Sequence, residues 1–172
     1  MKIPEKLNDF RMFVNDSPEL KANSDVELPE INFLTQTVSG AGIQGEYESP
    51  NYTHLESMKA VINWRLMCDE ITEFLKPQTL KIDLRAANQV YNNISGQHEF
   101  TVTRAVIKGI PLKNAPGTLS KGAQYDGSTE VEVLYMKLEY EGKVLIEFDK
   151  INYIYKVGEV DYSAPLRAAL GI

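Results

Sequence analysis

The chain predicts a mainly β fold: two packed antiparallel sheets, as a β-sandwich or barrel, with one flanking α-helix and a short C-terminal helix. Three observations predict it. Residues 129–157, TEVEVLYMKLEYEGKVLIEFDKINYIYKV, form the longest β-forming run, rich in Val, Ile, Tyr, Phe and Leu and free of Pro. Residues 57–67 and 80–86 alternate apolar and polar side chains with the period of a half-buried strand. Between them, residues 69–76 (DEITEFLK) carry a helical stripe of Ile71, Phe74 and Leu75, with Pro77 as a stop. With 172 residues, 43% hydrophobic and 24% charged, the chain is expected to be one domain over residues 1–172 with its own core.

In chain order, residues 10–14 (FRMFV) are a short strand candidate, and residues 15–25 are turn-rich. Residues 26–38 read as extended, with Pro29 holding the chain off regular pairing there. Residues 39–54 (SGAGIQGEYESPNYTH) read as a long Gly-rich loop, of a length that in compact domains is usually functional or disordered. Met58, Ala60, Ile62, Trp64 and Leu66 share one face of the next strand. Asp69 is placed to cap the helix, with Glu70 at its positive end. Leu80, Ile82, Leu84 and Ala86 form another inward face. Over residues 97–110, Phe100, Val102 and Val106 are expected to point inward and Thr101 and Thr103 outward. Residues 111–128 form a Gly/Pro-rich connection, and residues 163–170 (SAPLRAAL) a short helix with a Ser cap, an early Pro and Gly171 after it.

The 129–157 run reads as a long hairpin. A two-residue turn at Glu141-Gly142 would set Met136 against Glu147 and Lys137 against Ile146. A three-residue loop, Tyr140-Glu141-Gly142, pairs Leu138/Val144, Met136/Ile146 and Leu134/Phe148, and matches the opposite charges Glu139/Lys143 and Glu132/Lys150. Such pairs contribute about 0.2–1 kcal/mol each, so the second register is expected. In both strands the apolar face is even near the turn and odd far from it (Val131, Val133, Ile151, Tyr153, Tyr155, Val157). A hairpin with two apolar faces implies two partners.

Net charge is -6, from 24 acidic and 18 basic residues, which disfavours a nucleic-acid grip without excluding DNA that passes nearby and does not stick. The first ten residues lack the apolar core of a secretory signal, and no apolar run reaches bilayer length. The single cysteine, Cys68, excludes an internal disulfide and suits synthesis in the cytosol. Gly40-Ala41-Gly42-Ile43-Gln44-Gly45 matches GxGxxG, but no helix pattern follows, and Glu46 and Glu48 would repel a pyrophosphate. His54, His98 and Cys68 have no metal-ligand spacing. The carboxylate pairs Glu130/Glu132 and Glu139/Glu141 suit a solvated sheet edge better than acid/base work. Tyr135, Tyr140, Tyr153 and Tyr155 suit packing better than base stacking. No catalytic, cofactor or metal site is expected, and the chemistry points to assembly.

The C-terminal segment resembles a known family. Val160-Asp161-Tyr162 followed by Leu166-Arg167-Ala168-Ala169-Leu170-Gly171-Ile172, the preceding VLYMKLEYEGKVLIEFDKINYIYKVGEVD, and upstream Leu28-Pro29 with Gly40, Gly42 and Gly45 are similar to the major tail tube proteins of contractile-tailed bacteriophages and related phage-tail-like bacteriocins. The likeness runs in order from Leu28 to Ile172. It departs where NDSPELKAN stands in place of expected glycines, and where Leu134 or Met136 replaces a second Tyr. The resemblance implies a structural, non-enzymatic subunit, made in the bacterial cytoplasm and ending in a virion tail or a phage-tail-like particle. It further implies hexameric rings stacked into a hollow tube inside a contractile sheath. The implied partners are the chain itself, the sheath protein, the baseplate and tail-terminator proteins, a tape-measure protein in the lumen, and DNA in transit without specific binding. Candidate subunit and ring contacts are Gly40, Gly42, Ile43, Gly45, Tyr47, Val131, Val133, Tyr153, Tyr155 and Arg167. The competing reading is a small-molecule-binding β-barrel, with aromatics lining a cavity and the Gly-rich segment as its lid.

Overall fold

The computed structural model describes residues 1–17 and 23–172. Its strands are β1 (Lys2–Val14), β2 (Asn23–Glu27), β3 (Phe33–Ser39), β4 (Glu46–Leu55), β5 (Lys59–Trp64), β6 (Leu80–Asn92), β7 (Gln97–Ala115), β8 (Gly127–Tyr140), β9 (Lys143–Asp149), β10 (Ile154–Val157) and β11 (Val160–Asp161). A 3-10 turn (Asp69–Ile71) runs into the one-turn helix α1 (Thr72–Leu75), and α2 spans Ala164–Leu170. All strand pairs are antiparallel. Nine strands form one branched sheet in the order β1-β6-β7-β8-β9-β10-β11, with β5 and β2 branching from β8; β3 and β4 form a separate pair.

The branch explains the alternating faces of the long run. One edge of β8 pairs along β7, while the other serves two strands: residues 127–132 pair with β5, and residues 135–140 with β9. At the fork Leu134 is an extra residue, because Lys108 faces Tyr135 while Gly109 faces Val133. A β-bulge shifts the side-chain alternation by one. Val131 and Val133 before the bulge and Met136 after it therefore enter the same core. Val133 N–H donates to the Met58 carbonyl (2.8 Å) on one side of the fork, and Lys150 N–H to the Leu134 carbonyl (3.0 Å) on the other. Glu132 spans the fork, accepting from Ser57 Oγ at 2.7 Å and pairing with Lys150 at 3.2 Å. A Cβ on Gly109 would lie 2.3 Å from the Glu132 carbonyl oxygen, so the approach of β7 to the fork requires glycine.

The expected three-residue hairpin loop is not formed. Tyr140 pairs with Lys143 across the two-residue turn Glu141-Gly142, both in the left-handed region (φ 50° and 76°). The charge mismatch such a turn would impose is removed by a second bulge at Leu145, after which Leu138 faces Ile146, Met136 faces Phe148 and Lys137 faces Glu147. The far strand of the expected hairpin is also two strands. Asp149 accepts the N–H groups of Ile151 and Asn152 (both 2.9 Å), the chain turns over residues 150–153, and β10 returns against β9.

The core lies between the β1-β6-β7-β8-β9 layer and the β5-β2 arm. Met12, Val14, Ile62, Trp64, Phe74, Leu80, Ile82, Ile107 and Phe148 are buried there, with Val26 of β2 packed against it. The alternations of 58–64 and 80–84 point inward as expected, whereas Leu66 is exposed. On β7 the expectation is reversed. Thr101, Ala105 and Ile107 are buried, while Phe100 and Val102 are 60% and 56% exposed. Trp64, Thr129 and Asn114 satisfy one another in series, whereas the buried Thr101 hydroxyl has no partner among the described residues. Trp64 Nε1 donates to Thr129 Oγ1 (2.9 Å), Thr129 to Asn114 Oδ1 (2.6 Å), and Asn114 Nδ2 to the Phe74 carbonyl (3.1 Å), joining β5, β8, β7 and α1. The expected side-chain caps are absent: Asp69 lies inside the 3-10 turn after Cys68, and Ser163 precedes α2 without a side-chain cap bond.

The outer face of the main layer holds one buried charge. Asp83 on β6 accepts from Arg104 Nε and Nη2 (both 2.9 Å) and from Arg85 Nη2 (2.9 Å), with Arg85 stacked over Phe13. Burial pushes the Asp83 carboxyl up, but the hydrogen bonds and charges of Arg104 and Arg85 outweigh it and hold the group below the usual carboxylate range. Glu132 and Asp161 are likewise held low.

Val133→Asp places an unpaired charge at a fully buried position, a change that costs about 3–5 kcal/mol and lowers Tm by roughly 6–20 °C. A monomer that melts normally yet fails to assemble would instead restore Val133 as a contact residue. Carboxyls with depressed folded pKa contribute stability that is present above about pH 4 and lost as pH falls through the folded value. Thermal unfolding followed against pH should therefore be flat from neutrality to about pH 5 and fall below pH 4. Asp83→Asn should weaken that acid limb and cost about 1–3 kcal/mol at pH 7. An unchanged limb would show that the Asp83 pairs contribute nothing.

Candidate functional site

The segment expected to be a loop is a two-stranded ribbon. β3 and β4 pair Ser39 with Glu46, Val38 with Tyr47, Thr37 with Glu48, Gln36 with Ser49 and Thr35 with Pro50. The tip is residues 40–45, closed by Ile43 N–H on the Gly40 carbonyl (3.1 Å). Gly40, Gly42 and Gly45 have φ of 153°, 91° and 106°, with open space where a Cβ would sit, so conformation rather than room accounts for glycine at the tip. Antiparallel pairing sorts the ribbon into two faces. One carries Thr35, Thr37, Ser39, Glu46 and Glu48; the other carries Gln36, Val38, Tyr47 and Ser49.

The ribbon is largely exposed on both faces. Tyr47 is 54% exposed and Tyr52 is 74% exposed, and Ile43 and Leu34 also reach solvent. An isolated two-stranded ribbon is at best marginally stable in water. Its base is tied by Glu56 N–H on the Asn32 carbonyl (2.9 Å), and by Phe33, whose ring meets Tyr155 of β10 edge-on at 5.5 Å and Tyr52 at 6.0 Å. Phe33, Tyr52, Tyr155, Val157 and Tyr162 line an open cleft of about 510 Å³ at this root.

The expected contact residues fall into three places. Gly40, Gly42, Ile43, Gly45 and Tyr47 gather at the ribbon tip. Tyr153, Tyr155 and Arg167 gather near its root, where Arg167 Nη1 donates to the Tyr153 carbonyl (2.6 Å) and Nη2 pairs with Asp161 (2.6 Å). Burial pushes the Tyr155 phenol up, and nearby Tyr162 adds to the shift. Val131 and Val133 have no exposed surface and lie in the core, so the reading that they join a neighbour is corrected: the face change is the Leu134 bulge. Sequence reasoning missed Tyr52, hidden in what read as loop, and the outward Phe100 and Val102. The alternation of Thr35, Thr37 and Ser39 was the available signal for the ribbon.

Another cleft, of about 480 Å³, lies between α1 and the chain before β8 and is lined by Trp64, Met67, Ile71, Leu75 and Tyr125. The interior between the layers is filled by side chains from Met12 to Phe148. Among the described residues, no group of three or more His, Cys, Asp or Glu is placed to hold a metal ion.

Residues 4–171 match a family described as phage tail tube protein FII. The tail tube protein of Escherichia phage P2 is 26% identical over 176 aligned residues, covering all of both chains. The major tail tube protein of Serratia phage KSP20 is 23% identical, covering all of this chain and 99% of its own. Among solved structures, the sheath/tube terminator of the extracellular contractile injection system PVC, in the extended state, shares the fold. It superposes with a TM-score of 0.52 at 12% identity, covering 76% of this chain and 92% of that one. The chain therefore belongs to the phage tail tube protein FII family, and it is a structural subunit of a phage tail or phage-tail-like particle, not an enzyme.

Proposed function

We propose that the subunit, as one tail-tube domain over residues 1–172, closes into hexameric rings that stack into a hollow tube within a contractile sheath. The β3–β4 ribbon makes the contacts between neighbouring copies. The ribbon carries this reading: it exposes Ile43, Tyr47 and Tyr52 and has little of its own to hold it, as expected of an element completed by a second copy. Gly40, Gly42 and Gly45 shape the tip, and Tyr153, Tyr155 and Arg167 support its root. A ring also covers strand edges that a lone subunit leaves open, such as the outer edge of β1.

The remaining partners follow from a tube: a sheath protein outside, baseplate and terminator proteins at the ends, and a tape-measure protein and then DNA within. Net charge of -6 favours passage of DNA without counterion-releasing contacts. The small-molecule reading is less well supported, because the interlayer space is occupied by core side chains and the clefts are open to the surface.

Negative-stain microscopy of the purified chain at rising concentration should show sixfold rings or tubes; a strict monomer at high concentration would overturn the reading. Ile43→Asp combined with Tyr47→Asp should leave monomer stability within about 1 kcal/mol, because both side chains are outside the core, while greatly reducing tube formation. Normal tubes from that variant would remove the ribbon tip from the interface.

A further inference from the structure

We infer that Arg167 is a positioning residue for the ribbon: by clasping the C-terminal helix to the 150–153 turn, it sets the direction in which β3 and β4 leave the body of the subunit. Tyr153 is a non-glycine residue with φ 53°, a left-handed conformation that needs support from its surroundings. Asp149 holds the turn from one side through the N–H groups of Ile151 and Asn152 and the Asn152 side-chain amide (2.7 Å). Arg167 holds it from the other through the Tyr153 carbonyl. The second arm of the guanidinium is fixed on Asp161, whose other carboxylate oxygen accepts the N–H of buried Ser163 (3.0 Å).

The ribbon root rests on the elements so held. Leu34 and Thr53 of the ribbon face Asp149, Tyr153 and Ser163 across a cleft of about 140 Å³. Phe33 stands on Tyr155, whose carbonyl accepts Tyr162 N–H (2.9 Å) as the chain turns toward α2. The helix itself ends firmly, with Gly171 at φ 74° and Ile172 N–H returning to the Arg167 carbonyl (3.1 Å). A short helix of seven residues anchored by one bidentate arginine thus acts on strands more than a hundred positions earlier in the chain.

The inference deepens the proposed assembly role, but its test is made on the monomer, so the two can fail separately. Hydrogen exchange and ring-to-ring nuclear Overhauser contacts are measured on the full chain below its assembly concentration. Arg167→Ala should raise exchange of the Glu56 amide and of the β3–β4 ladder roughly tenfold and weaken the Phe33–Tyr155 contact, while β6 and β7 exchange as before. Arg167→Lys, which supplies one donor arm in place of a fork, should recover only part of the protection. Asp161→Asn, a milder change, should move the same amides in the same direction. Exchange that rises in α2 alone, with the ribbon unchanged, would reduce Arg167 to a helix anchor and overturn the inference. Wild-type protein that never forms tubes would remove the assembly reading and leave this measurement valid.

Discussion

Strand β8 serves two neighbours along one edge, and the rest of the fold depends on the bulge that allows it. Without the extra residue at Leu134, the odd and even apolar positions of β8 would lie on opposite faces, and one set would be left in water. With it, Val131, Val133 and Met136 share one core, and the sheet divides into the β5-β2 arm and the β9-β10-β11 arm. The fork is secured by backbone bonds on either side, by the Glu132–Lys150 pair across it, and by the missing side chain of Gly109 behind it. Both arms take their position from this point, and the ribbon root, resting on β10 and the turn before it, takes its position from the second arm.

Charge is handled differently on the two sides of the main layer. The inner side is apolar apart from a few hydroxyl and amide groups: those from Trp64 to Phe74 satisfy one another, and the Thr101 hydroxyl is left without a partner among the described residues. The outer side accepts charge, but Asp83 lies too deep to be solvated and is stabilised by two arginines. Nearby, Tyr135 donates to Glu147 at 2.9 Å; burial and that hydrogen bond push its phenol up to about 12, so it stays a neutral donor at physiological pH. The face is thus held by fixed polar partnerships rather than by apolar packing.

The sequence was most legible where one face of a strand is buried in a single layer. Residues 58–64 and 80–84 alternate cleanly because nothing interrupts their pleat. It was least legible at bulges, since an extra residue and a change of burial partner leave the same trace in a one-dimensional pattern. The Leu134 and Leu145 bulges produced both the reading of two partners and the wrong hairpin register. Asp149 and Asn152 are turn formers that could have divided the second strand, but the β-branched and aromatic residues around them masked the signal. Phe100 and Val102 were placed inward by residue type alone, although Thr101, Ala105 and Ile107 occupy that side. The ribbon was hidden because hydroxyl and acidic side chains fill one of its faces, as in an ordinary loop. The structural role of the chain, by contrast, was visible in its ending and in the order of its motifs, and the family match bears it out.

The ribbon has a consequence for specificity. Its exposed side chains lie outside the residues that build the core, and its tip is shaped by glycines whose missing side chains touch nothing. In the assembly proposed above, folding and recognition are therefore written in separate parts of the chain. On that proposal the tip can change its chemistry while the body keeps its shape, so two such proteins made in one cell would fold alike and still refuse to mix.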